Sequence, residues 1–479
     1  MRPPLRRSVA ALAAACLFAG PTVLAFRAGG YHAEPRLLAG IAAWALVLAL
    51  ALTGPAPLPR SRPGWLALAG LVLLTAWSAL SITWAPLGGP AVQQVQRLAL
   101  YVGALLLALG VLRSSRALRA VEPALAVGAT IVIGYGLSAR LLPGIIELSR
   151  SRSAGGRLEQ PITYWNGEGA LAAVGFVLCA RLVGDRSRSG AIRAAAAAVA
   201  VLLGTGVYLS YSRGAIAVAL LGLVVLVAAA PTRGQLRGAA ITLAGGAAGS
   251  IAAAALPGVA ALEGNRGDRI AEGAAMLIVL ALLCAVAATL ALRLAQRSDR
   301  PLPSSGRLAP VAAVLAVAVA AGLVAGGLGE RASEADLAAG AEAGRLTTVS
   351  SNRYEYWRVG LEAFAREPLT GLGAGGFRTE WLRERKIAEA VRDTHSIEVE
   401  MAAELGLVGL LAFALMIAGA VGAARRALRR ERGPAAGPCA ASLAWLLHAS
   451  IDWDWQLPAV TLPAITLAAA LMVLGEDAR

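Results

Sequence analysis

The sequence predicts an all-α polytopic membrane protein with about 12–14 transmembrane helices, and three observations predict it. Hydrophobic residues make up 57% of the 479 residues, and mean hydropathy is +0.65. Apolar runs recur at the length that crosses a hydrocarbon core, ~20 residues for about 30 Å. Arginine clusters fall on alternate connections between those runs, as the positive-inside rule requires.

Taken in order, the apolar stretches lie near 8–26, 37–54, 64–84, 97–112, 121–142, 166–183, 191–211, 214–230, 238–256, 270–292, 308–328, 397–423, 436–452 and 458–474. The first follows Arg2, Arg6 and Arg7 and reads as a retained helix rather than a cleaved signal peptide ending near Ala25. With the N-terminus inside, the inner connections gather Arg113, Arg116 and Arg119, then Arg186, Arg188 and Arg193, and later Arg425, Arg426, Arg429, Arg430 and Arg432. Outer connections hold scattered single residues such as Arg36, Arg97 and Arg213. Both termini are therefore expected in the cytoplasm. Arg300-Pro-Leu-Pro-Ser-Ser-Gly-Arg307 reads as a plain cytoplasmic linker.

A net charge of +15 needs no nucleic-acid partner, because most of it sets topology at the membrane surface. Cys16, Cys179, Cys284 and Cys439 fall within apolar stretches and are widely separated, so no disulfide framework or zinc spacing is visible.

Two outer loops are long enough to fold, 143–165 and the polar island 329–396. A polytopic chain keeps such an island where recognition or chemistry happens. Within it, Asn352 with Glu355 three residues on is a helix-start signal. Tyr354, Trp357, Leu361 and Phe364 form one apolar stripe, and Pro368 ends the helix. A second amphipathic segment runs from about Phe377 to Arg392, and both are expected on the outer membrane surface. Gly371-Leu-Gly-Ala-Gly-Gly376 fits G-x-G-x-x-G but follows no strand, so it reads as a flexible turn rather than a dinucleotide site.

Several residues carry chemistry. Arg213, in Tyr211-Ser-Arg-Gly214, sits where two apolar helices meet with almost no loop. A guanidinium there either snorkels or clamps an anion, its planar fork being suited to phosphate oxygens. His395, one of three histidines, opens a helix close to Glu398, Glu400 and Glu404. An imidazole beside a carboxylate is a usable general base near neutral pH. Asp452-Trp-Asp454 fits the D-x-D pattern that can hold a divalent metal, but the neighbouring tryptophans equally mark a membrane interface. His448 and Asp452, spaced i, i+4, are placed to pair on one helical face.

At these residues the chain resembles the O-antigen ligase/polymerase family of bacterial membrane glycosyltransferases. Three blocks carry the resemblance: Tyr211-Ser-Arg-Gly-Ala215; Arg353-Tyr-Glu-Tyr-Trp-Arg358 continuing through Ala363-Phe-Ala-Arg-Glu-Pro-Leu-Thr-Gly-Leu-Gly373 to Phe377; and His395-Ser-Ile-Glu-Val-Glu-Met-Ala-Ala-Glu-Leu-Gly406. Pro161-Ile-Thr-Tyr-Trp-Asn166 is similar to a subgroup found in bacteria with high-GC genomes, and Lys386 is the one lysine among 44 Lys and Arg residues. Two departures stand out. Ser396 occupies a position where Asn is common, and three helices separate the first block from the second. The resemblance divides the chain into 1–194, a ligase-like region 195–425, and a C-terminal hairpin 426–479.

The resemblance implies a GT-C-like helical fold, a polyprenyl-diphosphate-linked glycan donor, and a glycan or glycolipid acceptor. It implies that Arg213 and Arg353 hold the diphosphate and that His395 activates the acceptor hydroxyl. Arg157, Tyr164, Asn166 and Glu404 are expected to contact or support substrate. The chemistry agrees. A polyprenyl diphosphate is already a good leaving group, so two arginines can stabilise its departing charge with neither metal nor cofactor. In-line attack on the anomeric carbon would invert its configuration. Two other readings remain open, a transporter of a lipid-linked glycan or small anion, and a non-catalytic scaffold for envelope assembly. Transport favours broken helices and midplane charges, whereas the polar residues here cluster at the outer face.

Overall fold

A computed structural model describes residues 3–295, 299–302 and 352–476. The apolar stretch near 308–328 lies outside the described residues, as does the first part of the polar island.

Each of the other stretches is a helix. They are α1 (Pro3–Ala25), α2 (Ala33–Thr53), α3 (Arg62–Leu80), α4 (Gly88–Leu112), α5 (Ser115–Leu141), α6 (Trp165–Gly184) and α7 (Gly190–Leu209). Next come α8 (Arg213–Ala229), α9 (Arg233–Ala254) and α10 (Arg266–Ala295). After the island's α11 (Arg353–Arg366) and α12 (Phe377–Glu384) follow α13 (Ile397–Arg430), α14 (Arg432–Ala449) and α15 (Pro458–Leu474). Ten of these helices are long and apolar enough to cross a membrane, and α8 and α15 are shorter apolar helices. The chain is an all-α, multi-pass membrane protein.

Local signals set the helix starts. The hydroxyls of Ser61, Ser189, Ser212, Thr232 and Ser396 each accept from a backbone N–H in the first turn that follows them. Helix α6 is the central strut, buried from Gly167 to Gly184, with α5, α7, α8, α9 and α14 packed round it. Its run of Gly and Ala explains this. Without a hydrophobic drive between helices in lipid, small residues gain stability by letting backbones approach.

The connections fall into two sets. At one end, the Arg60 amide donates to Glu476 at 2.7 Å, Arg188 pairs with Glu122 at 3.2 Å, and the Gly234 amide donates to Asp299 at 2.8 Å. At the other end, the loops before α2, α6, α8, α13 and α15 touch one another. Tyr31 packs edge-on against Trp453, and the Leu158 amide donates to Leu209 O at 2.8 Å. The island belongs to this second end.

Helix α13 is not continuous. Gly406 has φ +63° and ψ −159°, which breaks it into 397–405 and a long span beyond. Backbone groups freed at the break find partners outside the helix. Ala403 O accepts from Leu372 N, Glu404 O from Gly373 N, and Leu407 N donates to Pro368 O, while Leu405 O accepts from the Trp77 indole at 2.9 Å. The glycine turn thus fills the break and is anything but slack. Gly371 has φ +66°, and a Cβ there would lie 2.4 Å from the Glu404 carbonyl carbon.

The island's helices depart from the expected pattern in two ways. Asn352 does not cap α11 with its side chain; it donates to Glu389 at 2.9 Å, and Glu355 turns to Arg358 at 2.8 Å. The expected apolar stripe also divides. Trp357 is buried, but Tyr354 and Leu361 are exposed, and the inward face is Tyr356, Val359, Gly360 and Ala363. The second amphipathic segment ends at Glu384, with Phe377 and Trp381 fully buried against Tyr356 rather than facing outward.

Candidate functional site

The short connection 450–457 between α14 and α15 is the hub of the site. Asp452 is buried there and gathers donors from the start of α6, the start of α11 and its own connection. Its carboxylate accepts from the Tyr164 hydroxyl at 2.5 Å, from Asn166 Nδ2 at 2.8 Å, from the Trp453 amide at 2.9 Å, and from Arg353 Nη2. Tyr164 caps α6 and Asn166 sits in its first turn, whereas Arg353 opens α11. Two helix starts therefore point at one carboxylate.

Electrostatics follow from that arrangement. Burial pushes the Asp452 carboxyl up, but Arg353, His395 and His448 together with the Tyr164 hydroxyl hold it below the usual range. Burial and the Asp452 charge push the Tyr164 phenol well above its ordinary value. Burial would lower Arg353, yet Asp452 keeps it raised. At neutral pH the cluster is carboxylate, guanidinium and un-ionised phenol. The Arg353 side chain remains 25% exposed against 1% for Asp452, so the guanidinium presents a face outward while Asp452 anchors it from within.

His395 lies next to this cluster in a left-handed conformation, φ +56°. Its Nδ1 is 3.0 Å from Asp393 O, and its ring lies 5.1 Å from that of Tyr356 and 6.1 Å from that of Trp453. Trp453 also packs on Tyr164 at 4.6 Å. The expected carboxylate neighbours are engaged elsewhere. Glu398 accepts from Ser396 and Ser450, and Glu400 from Gln456 at 2.7 Å, with Arg97 at 3.7 Å. Glu404 accepts from the Gly375 and Phe377 amides at 2.7 and 3.2 Å. His395 instead helps to lower the carboxyls of Asp393 and Asp452.

Arg213 reaches the same hub through its neighbours. Ser212 Oγ is 3.4 Å from His448 Nε2, and a Cβ on Gly214 would lie 2.8 Å from Ile451 Cδ1. The structure thus brings Arg213, Arg353, His395, Tyr164 and Asn166 around one connection. It does not bring Glu404 there, because that carboxylate fastens the glycine turn. Arg157 is buried in its own loop, donating to Ala154 O and Ser153 O at 2.6 Å each and lying over the Trp165 ring at 3.7 Å. It supports the segment that carries Tyr164 and Asn166.

The paired reading of His448 and Asp452 is corrected. Helix α14 ends at Ala449, so Asp452 leaves the helical face, and His448 Nδ1 meets Asp454 Oδ2 at 2.5 Å. Asp452 and Asp454 consequently serve different partners, and among the described residues no group of three or more His, Cys, Asp or Glu is placed to hold a metal ion. Sequence reasoning noticed the Asp-Trp-Asp run but missed its use as an anchor for Arg353. The available signal was a pair of buried acids beside a histidine on an otherwise apolar hairpin.

An all-helical, multi-pass membrane protein with a cationic and aromatic site gathered from the loops at one end is the class this geometry defines. Within it, residues 271–414 match the family model described as O-Antigen ligase. That match covers the blocks beginning at Arg353 and His395. No curated protein matches the chain.

Proposed function

We propose that the protein is a metal-independent glycosyltransferase at the outer face of the bacterial cytoplasmic membrane, transferring or polymerising glycan from a polyprenyl-diphosphate donor. The observation that carries the reading is the gathering of Arg213, Arg353 and His395 round the buried 450–457 connection. Arg353, anchored by Asp452, and Arg213 offer charge-assisted hydrogen bonds to the diphosphate as its bond to the anomeric carbon breaks. His395 takes the proton of the acceptor hydroxyl as that oxygen forms the new glycosidic bond. Attack in line with the departing diphosphate inverts the anomeric centre. The flat rings of Trp453, Tyr164 and Tyr31 suit a sugar face.

A lipid tail has a place to lie. An apolar cleft of about 580 Å³ runs between α1, α2, α4 and α15, lined by residues such as Leu24, Leu38, Leu100 and Leu462, with Arg27 and Glu34 at its site end. It meets α15 at Leu462 and Thr466, on the helix that begins at Pro458 beside the hub. The arginine bias of the opposite end supports cytoplasmic termini and an outward-facing site.

Size ladders of surface and lipid-linked glycans in cells carrying R213A, R353A or H395A provide the test. Loss of product with glycan stranded on its lipid carrier is expected for each variant. Product of normal length and amount in all three overturns the reading. Loss of vesicle flux in H395A with transfer intact would favour the transporter reading.

A further inference from the structure

We infer that His448 and Asp454 are positioning residues for Arg213, acting through the hydroxyl of Ser212. The inference rests on the diphosphate clamp proposed above and extends it to groups outside the three sequence blocks.

A chain of hydrogen bonds runs from the hub to the first turn of α8. Asp454 Oδ2 accepts from His448 Nδ1 at 2.5 Å. The other ring nitrogen, Nε2, is 3.4 Å from Ser212 Oγ, accepting from the hydroxyl when the imidazole is neutral and donating to it when the ring is protonated. The Ser212 oxygen in turn accepts from the Ala215 amide at 3.3 Å as the N-cap of α8, and its own amide donates to Ser210 Oγ at 3.2 Å. Ser212, His448 and Asp454 are 4%, 1% and 0% exposed. Arg213 is the residue after the cap. Gly214 makes the contact close, since a Cβ there would stand 3.2 and 3.3 Å from His448 Cδ2 and Nε2. The turn therefore lies flat on the imidazole, and the ring fixes where the Arg213 side chain leaves the helix.

The same connection holds Arg353 through Asp452, two residues before Asp454. One eight-residue stretch, 450–457, thus orients both guanidiniums, one directly and one through a relay. A buried hydrogen-bonded chain of this kind favours a single geometry, although Asp454 Oδ1 has no partner within it. A clamp needs that, because a displacement of about 1 Å at such a site costs on the order of 100-fold. The constellation has the composition of a Ser-His-Asp triad. Here, however, the serine oxygen is buried and committed to the helix cap, which suits holding rather than attack.

The test uses the full chain in nanodiscs with farnesyl diphosphate as a probe that needs no knowledge of the glycan. S212A and H448L are expected to weaken probe binding about tenfold, the order seen when supporting hydrogen-bond partners are removed. H448Q should recover most of the loss, because its amide can accept from Ser212 while donating to Asp454. H448L should add nothing in an R213A background and keep its full effect in an R353A background. If neither R213A nor R353A weakens binding, the diphosphate clamp itself falls. If both do, but S212A and H448L bind normally or their losses add to that of R213A, the relay alone is overturned. Normal binding with abolished transfer in S212A would mark the serine as a nucleophile and also overturn it. Should H448L fail to fold by thermal melting, S212A with and without R213A decides the matter.

Discussion

Replacing Asp452 by alanine is the most informative single perturbation of this fold. The carboxylate is buried and accepts from Tyr164, Asn166, the Trp453 amide and Arg353. Removing one partner of a buried ion pair costs about 3–5 kcal/mol, because the other charge is left uncompensated. Stranding the Tyr164 and Asn166 donors would add about 1–3 kcal/mol each if nothing relaxed. Arg353 is 25% exposed, so water recovers part of its solvation, and the lower end of the range, ~3 kcal/mol, is the working figure. That amounts to about a hundredfold in the unfolding equilibrium. SDS-titrated unfolding followed by tryptophan fluorescence reads it, with D452N expected to lose less because the amide oxygen still accepts. A change smaller than about 1 kcal/mol in D452A would refute the view that this carboxylate ties α6, α11 and the C-terminal hairpin together.

Three further outcomes are expected. The folded-state pKa of Asp452 is depressed, so its stabilisation is present above the unfolded value of about 3.9 and is lost as pH falls through the lower folded value; D452A should flatten the acid limb of a stability–pH curve measured below about pH 4. G371A must place a Cβ 2.4 Å from the Glu404 carbonyl carbon at φ +66°, which should cut the yield of folded protein in size-exclusion chromatography, and a normal elution profile would show that the turn does not pin the α13 break. R353K keeps the charge but loses the planar fork, so glycan transfer in cells should drop at least about tenfold while the melting temperature moves less than in D452A.

The spans were legible because each apolar run is a local property, and every stretch read from the sequence within the described residues is a helix. His395 was legible as a candidate, since a polar residue where the chain re-enters a bilayer is conspicuous, whereas Arg353 entered through the family resemblance. Their partners were not. Asp452 pairs with Arg353 across 99 residues and with Tyr164 across 288, and nothing local encodes such a pairing. Proximity in sequence misled in the case of His395, where Glu398, Glu400 and Glu404 lie close along the chain yet face other donors. The break in α13 was hidden too. Glu404-Leu-Gly-Leu-Val-Gly409 reads as uninterrupted apolar helix, and only the docking of the glycine turn shows where Gly406 departs from it.

The 450–457 connection lies beyond residue 414, where the family match ends, and Tyr164 and Arg213 lie before residue 271, where it begins. Homology borders and working borders therefore diverge. A chimera that exchanged only the matched segment would import Arg353 and His395 but leave behind the acids and hydroxyls that aim them. Under the proposed function, substitutions in the flanking helices would retune the site without touching its recognisable residues, and swaps intended to redirect specificity should carry the last hairpin along.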